Sequence, residues 1–485
     1  MIKINKDFDR VQVDKNNQNS LLYSYYESVF GIFQKKYNGH VLKQKINIMG
    51  DDFEFQFLPH VINPQTNKPY MISFKKLITG SREEVLAIDG IDFYMDICRL
   101  KSCAKSKYTE ADFIEQLYHV FPEDITIAYN DSGEKYYSIG DKGDVYVREG
   151  NNPSVSNFAI ISDYIETKIK SYDTGYFSYY SSCARLNLLN CKKHKRKPFS
   201  LTSEITFEEI KDYLSLMHDD VIAYLETNIR KKDKNQLFIN YDDMDDDMRH
   251  ELLDHLGIKT CPYCNRQYIT SWSSPYKRRT TADLDHYYPK SLFPLFSLSS
   301  FNFIPSCHVC NSLIKGDRFF ETLYPYEESA EESVRFDIGI KNGKEPKDIV
   351  DIWLGKGRDS FPEIHNISEL IIENICTDEF RKKLIDNELE LFRLKTLYKN
   401  HLDEAINVFL ILRIYLEKDF YKNNINNICD RIGIKGGDKG SMITKEELKG
   451  FLLGMVSDGQ GLADKPLSKM ISDIYNREVE NIISK

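Results

Sequence analysis

Two Cys-x-x-Cys pairs, Cys261/Cys264 and Cys307/Cys310, bracket residues 265–306. A two-residue spacer lets both thiolates of one turn face the same ion, and two such turns supply the four soft ligands of a tetrahedral structural zinc site. Four buried free thiols, or two local redox pairs, are the plainer alternative. Two equal spacings in one region, the first enclosing Pro262-Tyr263, favour zinc. The interval is longer than that of a simple zinc ribbon, which leaves room for a functional element between the half-sites.

Between the pairs stand Asp285-His286 and Asn302, and Asn311 follows Cys310 directly. Phosphodiester hydrolysis needs a base to deprotonate water and a cation to hold the scissile phosphate. An imidazole can accept that proton at neutral pH, and an adjacent carboxylate is a hard oxygen ligand for Mg²⁺ or a similar ion. Neighbours on a strand point to opposite faces, so Asp285 and His286 serve one phosphate only where the strand ends or bulges. Pro289 is consistent with such an end.

In this order the residues resemble the HNH (ββα-metal) endonuclease family, in its zinc-bearing branch. The resemblance implies a hairpin and a short helix clamping one catalytic metal. Carried over by position, it implies His286 as general base, Asp285 and Asn311 as ligands of the divalent ion, and Asn302 as the brace of the loop that aims His286. Lys315 falls where the family often has a basic residue that contacts phosphate. Asn rather than His at position 311 leaves fewer nitrogen ligands, which favours Mg²⁺ or Mn²⁺ over a catalytic zinc. His308 lies inside a cysteine set that is already complete and is left out.

The 485-residue chain is 41% hydrophobic and 29% charged, as expected of a soluble protein of several domains. The longest apolar stretch, 408–416, is too short to span a membrane and carries Arg413. Met1-Ile2-Lys3-Ile4 opens no signal-peptide core, and ten cysteines without a disulfide framework point to a reducing cytoplasm. The net charge of −9 argues against nucleic acid as a partner of the whole surface. Locally the balance reverses: over 261–326, Arg266, Lys277, Arg278, Arg279, Lys290, Lys315 and Arg318 outnumber Asp283, Asp285, Asp317 and Glu321. That segment can face a phosphate backbone.

The elements that must position this core read as an α+β fold. An α+β region of unassigned role over 1–240, suited to substrate or partner recognition, precedes a nuclease core over 241–328. A mainly helical region over 329–485 follows. In the first region, Phe53–Phe57, Val85–Ile88 and Phe93–Met95 read as strands, with a turn at Asp89-Gly90. Thr109-x-x-Asp112 and Thr206-x-x-Glu209 read as capping boxes that open helices, and Ile125–Ile127 and Asp144–Val147 as strands. Cys98/Cys103 read as ordinary buried thiols, and Cys183, Cys191 and His194 as a weak metal set. Lys192–Lys197 reads as a solvated basic loop with DNA contact as the alternative. The acidic stretch Asp242–Asp247 caps a helix leading into Cys261. Beyond the core, Val334–Ile340 reads as a strand and 377–423 as helical, with His401 a packing or surface residue. Gly433–Gly440 fails phosphate-loop spacing, and Thr444-x-x-Glu447 caps a further helix.

The expected function is a metal-dependent endonuclease with structural Zn²⁺ and catalytic Mg²⁺ or Mn²⁺, acting on DNA in preference to RNA. The resemblance extends to HNH nucleases of bacterial anti-phage defence loci and implies an ATPase partner subunit. One such site cuts one strand, so a double-strand break calls for repositioning, a partner or a homo-oligomer. The alternatives are a zinc-stapled nucleic-acid-binding or scaffold protein without cleavage, and an RNA (tRNA) nuclease toxin.

Overall fold

A computed structural model describes residues 2–4, 21–37, 54–58, 61–63, 65–105, 108–148, 154–172, 206–227, 241–273, 278–341, 343–416 and 465–483. The fold is mixed α and β, in line with the expected class. Helix α1 (Leu21–Tyr37) and helix α2 (Ile91–Cys103) precede α3 (Glu110–Val120). A four-stranded antiparallel meander follows: β1 (Ile125–Tyr129), β2 (Lys135–Ile139), β3 (Gly143–Arg148) and β4 (Ser154–Val155). Helices α4 (Phe158–Tyr172), α5 (Phe207–Thr227) and α6 (Asp246–Leu256) lead to a short ribbon, β5 (Ser271–Ser273) with β6 (Arg278–Thr280).

The centre is an antiparallel hairpin, β7 (Ala282–His286) with β8 (Phe303–Cys307), followed by a π-helix, α7 (Val309–Lys315). Beyond it, β9 (Val334–Ile340) pairs along its whole length with β10 (Ser368–Asn374). Helices α8 (Glu379–Leu391), α9 (Leu402–Leu416) and α10 (Ser468–Ile483) complete the described chain, with α9 and α10 packed on each other and on β9.

Capping chemistry sets several helix starts. Thr109 and Asp112 exchange both capping-box bonds, and Thr206 and Glu209 do the same. Asp245 accepts from the Met248 N–H and so opens α6, the helix that the acidic stretch was expected to cap. Two expected strands are helical instead. Val85 lies in Arg82–Leu86, opened by a Ser81/Glu84 capping box, and Phe93–Met95 lie in α2. Both runs are short, buried and apolar, so their period did not distinguish strand from helix. Gly90, with φ +82°, makes the intervening turn, and a Cβ there would sit 2.8 Å from the Tyr70 ring. Strand β10 was not anticipated, and the helical stretch expected from 377 is interrupted at Arg393, whose φ is +50°. The readings at Cys183, Cys191, His194, Lys192–Lys197, Gly433–Gly440 and Thr444–Glu447 fall outside the described residues.

The hairpin is wrapped by segments remote in sequence, with one continuous apolar core between them. The Tyr25 hydroxyl donates to the Leu298 carbonyl at 2.6 Å, and the Tyr94 hydroxyl accepts from the Leu295 N–H at 3.0 Å. Backbone N–H groups of Ile2 and Ile4 donate to Pro262 and Pro325. On the other side, buried Asn265, with φ +47°, receives the start of α10. Its Oδ1 accepts from the Lys469 N–H and the Ser468 hydroxyl, both at 3.1 Å, and its carbonyl accepts from Leu467. Asn is among the few side chains that tolerate this backbone region, and here its amide also caps a helix. Asn265→Ala is expected to cost about 2 kcal/mol. Hydrogen exchange would then be faster across Ser468–Ile483 than in the meander, where wild-type rates should persist.

Candidate metal centre and hairpin site

The first cysteine pair sits in a turn closed by Asn265 N–H donating to the Cys261 carbonyl at 2.8 Å, with the Arg266 N–H directed at Cys264 Sγ at 3.4 Å. The second pair joins the last residue of β8 to the first turn of α7. All four cysteines are buried, and their sulfurs lie within 4.8 Å of one another. Cys264 and Cys307 Sγ are 3.9 Å apart. Zinc–sulfur bonds of about 2.3 Å at tetrahedral angles place sulfurs about 3.8 Å apart, close to the Cys264–Cys307 separation, so the donor set could hold a zinc-class ion. Hydrogen bonds from the other three thiols hold the Cys307 thiol far below its usual range, and Cys261 chiefly lowers Cys264. Burial pushes Cys261 up, while bonding to its neighbours pushes Cys310 up. An incoming cation would displace the thiol protons.

Asp285 is 2% exposed and is held from both sides. Tyr263, from inside the first cysteine turn, donates to Oδ2 at 2.7 Å, and Lys315 Nζ donates to Oδ1 at 2.9 Å. Lys315 also reaches the His286 carbonyl at 2.5 Å. Burial raises the Asp285 carboxyl, and the Lys315 ammonium opposes that shift. The structure therefore brings Asp285 and Lys315 together as an internal ion pair that joins the cysteine turn to the end of α7.

Asn311 is elsewhere. Its Nδ2 donates to Asp283 at 3.0 Å, and His308 Nδ1 meets the same Asp283 oxygen at 3.0 Å. Asp283 and Asp285 are two apart on β7 and share a face. The half-exposed cluster Asp283–His308–Asn311 was missed in the sequence, where only period-two alternation from Asp285 could have pointed to it. No contact between Asp285 and Asn311 is formed among the described residues. Asp285, already bonded to an ammonium and a phenol, is not disposed to receive an ion in this arrangement. Asp283 with Asn311 offers the more open pair of hard donors.

His286 lies on the opposite face, 8% exposed, edge-on to Tyr241 at 4.8 Å and to Phe303 at 5.4 Å between ring centroids. Its Nε2 is 2.9 Å from the Ser297 carbonyl. A carbonyl only accepts, so Nε2 carries the proton and Nδ1 presents the lone pair. Burial pushes the imidazole down to about 3, which keeps it neutral at physiological pH. Asn302 fixes the loop that supplies this carbonyl: Nδ2 donates to Phe296 and Tyr288 carbonyls at 3.0 Å, and Oδ1 accepts from Tyr288 N–H at 2.7 Å. Lys290 and Arg249 stand over the Tyr241 ring at 4.9 and 4.6 Å, each paired with an acid, Asp242 at 3.5 Å and Asp246 at 3.4 Å. His401 accepts from Arg266 at 2.9 Å, away from this cluster, and Cys98 and Cys103 are buried free thiols.

No protein-family model, curated protein or solved structure matches the chain. Among the described residues, no helix is long and apolar enough to cross a membrane.

Two outcomes follow from this geometry. Cobalt added to metal-stripped wild type should give intense thiolate-to-metal absorption, lost in Cys264→Ser together with several kcal/mol of stability. For His286, the folded-state value lies below the ordinary one, so its contribution is full above about pH 6.5 and fades as pH falls toward 3. His286→Gln should accordingly be less acid-sensitive in denaturant unfolding, by about 1.4 kcal/mol per pH unit over that window.

Proposed function

We propose that the chain is a metal-dependent endonuclease of the HNH kind, hydrolysing phosphodiester bonds of DNA in a reducing cytoplasm. The observation that carries this reading is the clamp on His286. A buried, neutral imidazole is fixed in one tautomer by the Ser297 carbonyl, on a loop locked by Asn302, at the end of a hairpin stapled by four cysteines. The loop that bonds the ring is itself tied down by Asn302, whose polar groups are all engaged.

In this reading His286 Nδ1 takes a proton from the attacking water, and Asn302 acts on it through the 296–297 loop. Lys290 and Arg249, over Tyr241, would turn from Asp242 and Asp246 to the phosphate backbone. Zinc at Cys261, Cys264, Cys307 and Cys310 would hold α7 against the hairpin. A Mg²⁺ or Mn²⁺ ion would stabilise charge on the phosphate. The resemblance assigns that ion to Asp285 and Asn311; the contacts favour Asp283 beside Asn311, with the Lys315 ammonium serving Asp285. Anti-phage defence, with an ATPase partner gating the cut, is the setting the resemblance suggests.

Purified protein incubated with supercoiled plasmid, linear DNA and RNA, in Mg²⁺ or EDTA, tests this. Cleavage should need Mg²⁺, and His286→Ala should lower it by about 10²-fold or more. Asp283→Ala and Asp285→Ala, each checked for retained zinc, report which carboxylate the ion uses. Cleavage unchanged in His286→Ala removes the mechanism. Binding without cleavage favours a zinc-stapled scaffold, and cleavage of RNA alone favours an RNA toxin.

A further inference from the structure

Away from the hairpin, Glu115 and His119 on α3 converge with Glu390 on α8, their ligand atoms within 4.8 Å of one another. Glu115 and His119 are four apart on a helix, so they share a face. His119 is 5% exposed and stacked on Phe320 at 3.9 Å between centroids.

The tautomer of His119 follows from its neighbour. Asn387 Nδ2 donates to the carbonyls of His119 and Glu321, at 2.9 and 2.8 Å. Both amide hydrogens are thereby used, and Asn387 Oδ1 must be the atom that meets His119 Nδ1 at 2.7 Å. Nδ1 therefore carries the proton. Nε2 is left with its lone pair aimed at the carboxylates, 4.0 Å from Glu390 Oε1, and makes no hydrogen bond among the described residues. A lone pair facing two carboxylates is an arrangement that a cation relieves. The amide oxygen behind Nδ1 is the outer contact that orients a metal-bound imidazole.

We propose that Glu115, His119 and Glu390 form a second site for a divalent transition metal of the zinc class, separate from the four cysteines, which pins α3 to α8. One imidazole nitrogen and two carboxylate oxygens are an established kind of donor for such an ion, and a fourth position stays open to water. Bonds of about 2.0–2.2 Å require the donors to close to about 3.4 Å. Both glutamates are exposed and free to turn inward; Lys135, 3.9 Å from Glu115, is too far to hold it by a hydrogen bond. The site would lock the helix before the meander onto the C-terminal part of the chain. His119 and Asn387 already join the two at that place, through Glu321.

The full chain, dialysed against a mild chelator that leaves the cysteine-bound metal in place, is titrated with ZnCl₂ and its metal content measured. Wild type should take up one zinc per chain more than Glu390→Gln or Glu115→Gln. It should also gain several degrees in melting temperature that the variants do not. Cobalt at this site should add only weak visible bands, without new thiolate absorption. Equal zinc uptake by wild type and both variants, or uptake accompanied by further thiolate absorption, overturns the proposal. Both substitutions are at exposed positions, so folding is preserved, and two independent variants guard against failure of either.

Discussion

The hairpin at the centre of this protein is only two five-residue strands, and a two-stranded hairpin has little stability of its own. Wrapping segments bury it, and four sulfurs converge beside it at a spacing that could hold a metal such as zinc. Cys307 ends one strand, Cys310 begins the following helix, and Cys261 and Cys264 come from a turn ahead of both. An ion held there would tie these pieces at one point and set the position of α7 relative to β7, on which the side-chain geometry of the candidate site depends. The same turn carries Tyr263, which reaches Asp285, so the sulfur cluster and the strand carboxylates form one mechanical unit.

Within that unit the Asp285–Lys315 pair is the costly element. Both side chains are about 2–3% exposed, so each charge has lost its water. Attraction alone seldom offsets that loss, and pairs of this kind persist when further hydrogen bonds satisfy the remaining valences. Tyr263 and the His286 carbonyl supply them. A pair so completed gives orientation more than stability: it holds the last turn of α7 against the end of β7. The π-turn makes this reach feasible, since its wider coil carries Lys315 back toward the strand while Gly316, with φ +54°, ends the helix by donating to Asn311.

Features set by local spacing were legible in the sequence. The cysteine pairs and the capping boxes at Thr109 and Thr206 involve residues whose partners are near in the chain or dictated by coordination geometry. Features set by tertiary packing were not. Val85 and Phe93 are helical because of Ser81 and Gly90, and the apolar residues themselves say nothing of period in so short a run. The choice between Asp283 and Asp285 is the sharper case. They have the same residue type and the same strand face, and only the positions of Lys315 and Asn311 along α7 distinguish them. A widened helical turn shifts those positions by an amount that no spacing rule anticipates.

The opposed faces of β7 then constrain any chemistry done here. His286 and the aspartates point to opposite sides of the strand, so no molecule lying against one face reaches both. Past the strand's end Tyr287 leaves the ladder and its N–H turns to the Asn302 carbonyl. Here the imidazole is held by Ser297, and Lys290 and Arg249 stand over Tyr241. The residues just past that end, Tyr287 and Tyr288, are buried, whereas Asp283 and His308 at the other end of the hairpin reach solvent, so the carboxylate face is the more open of the two.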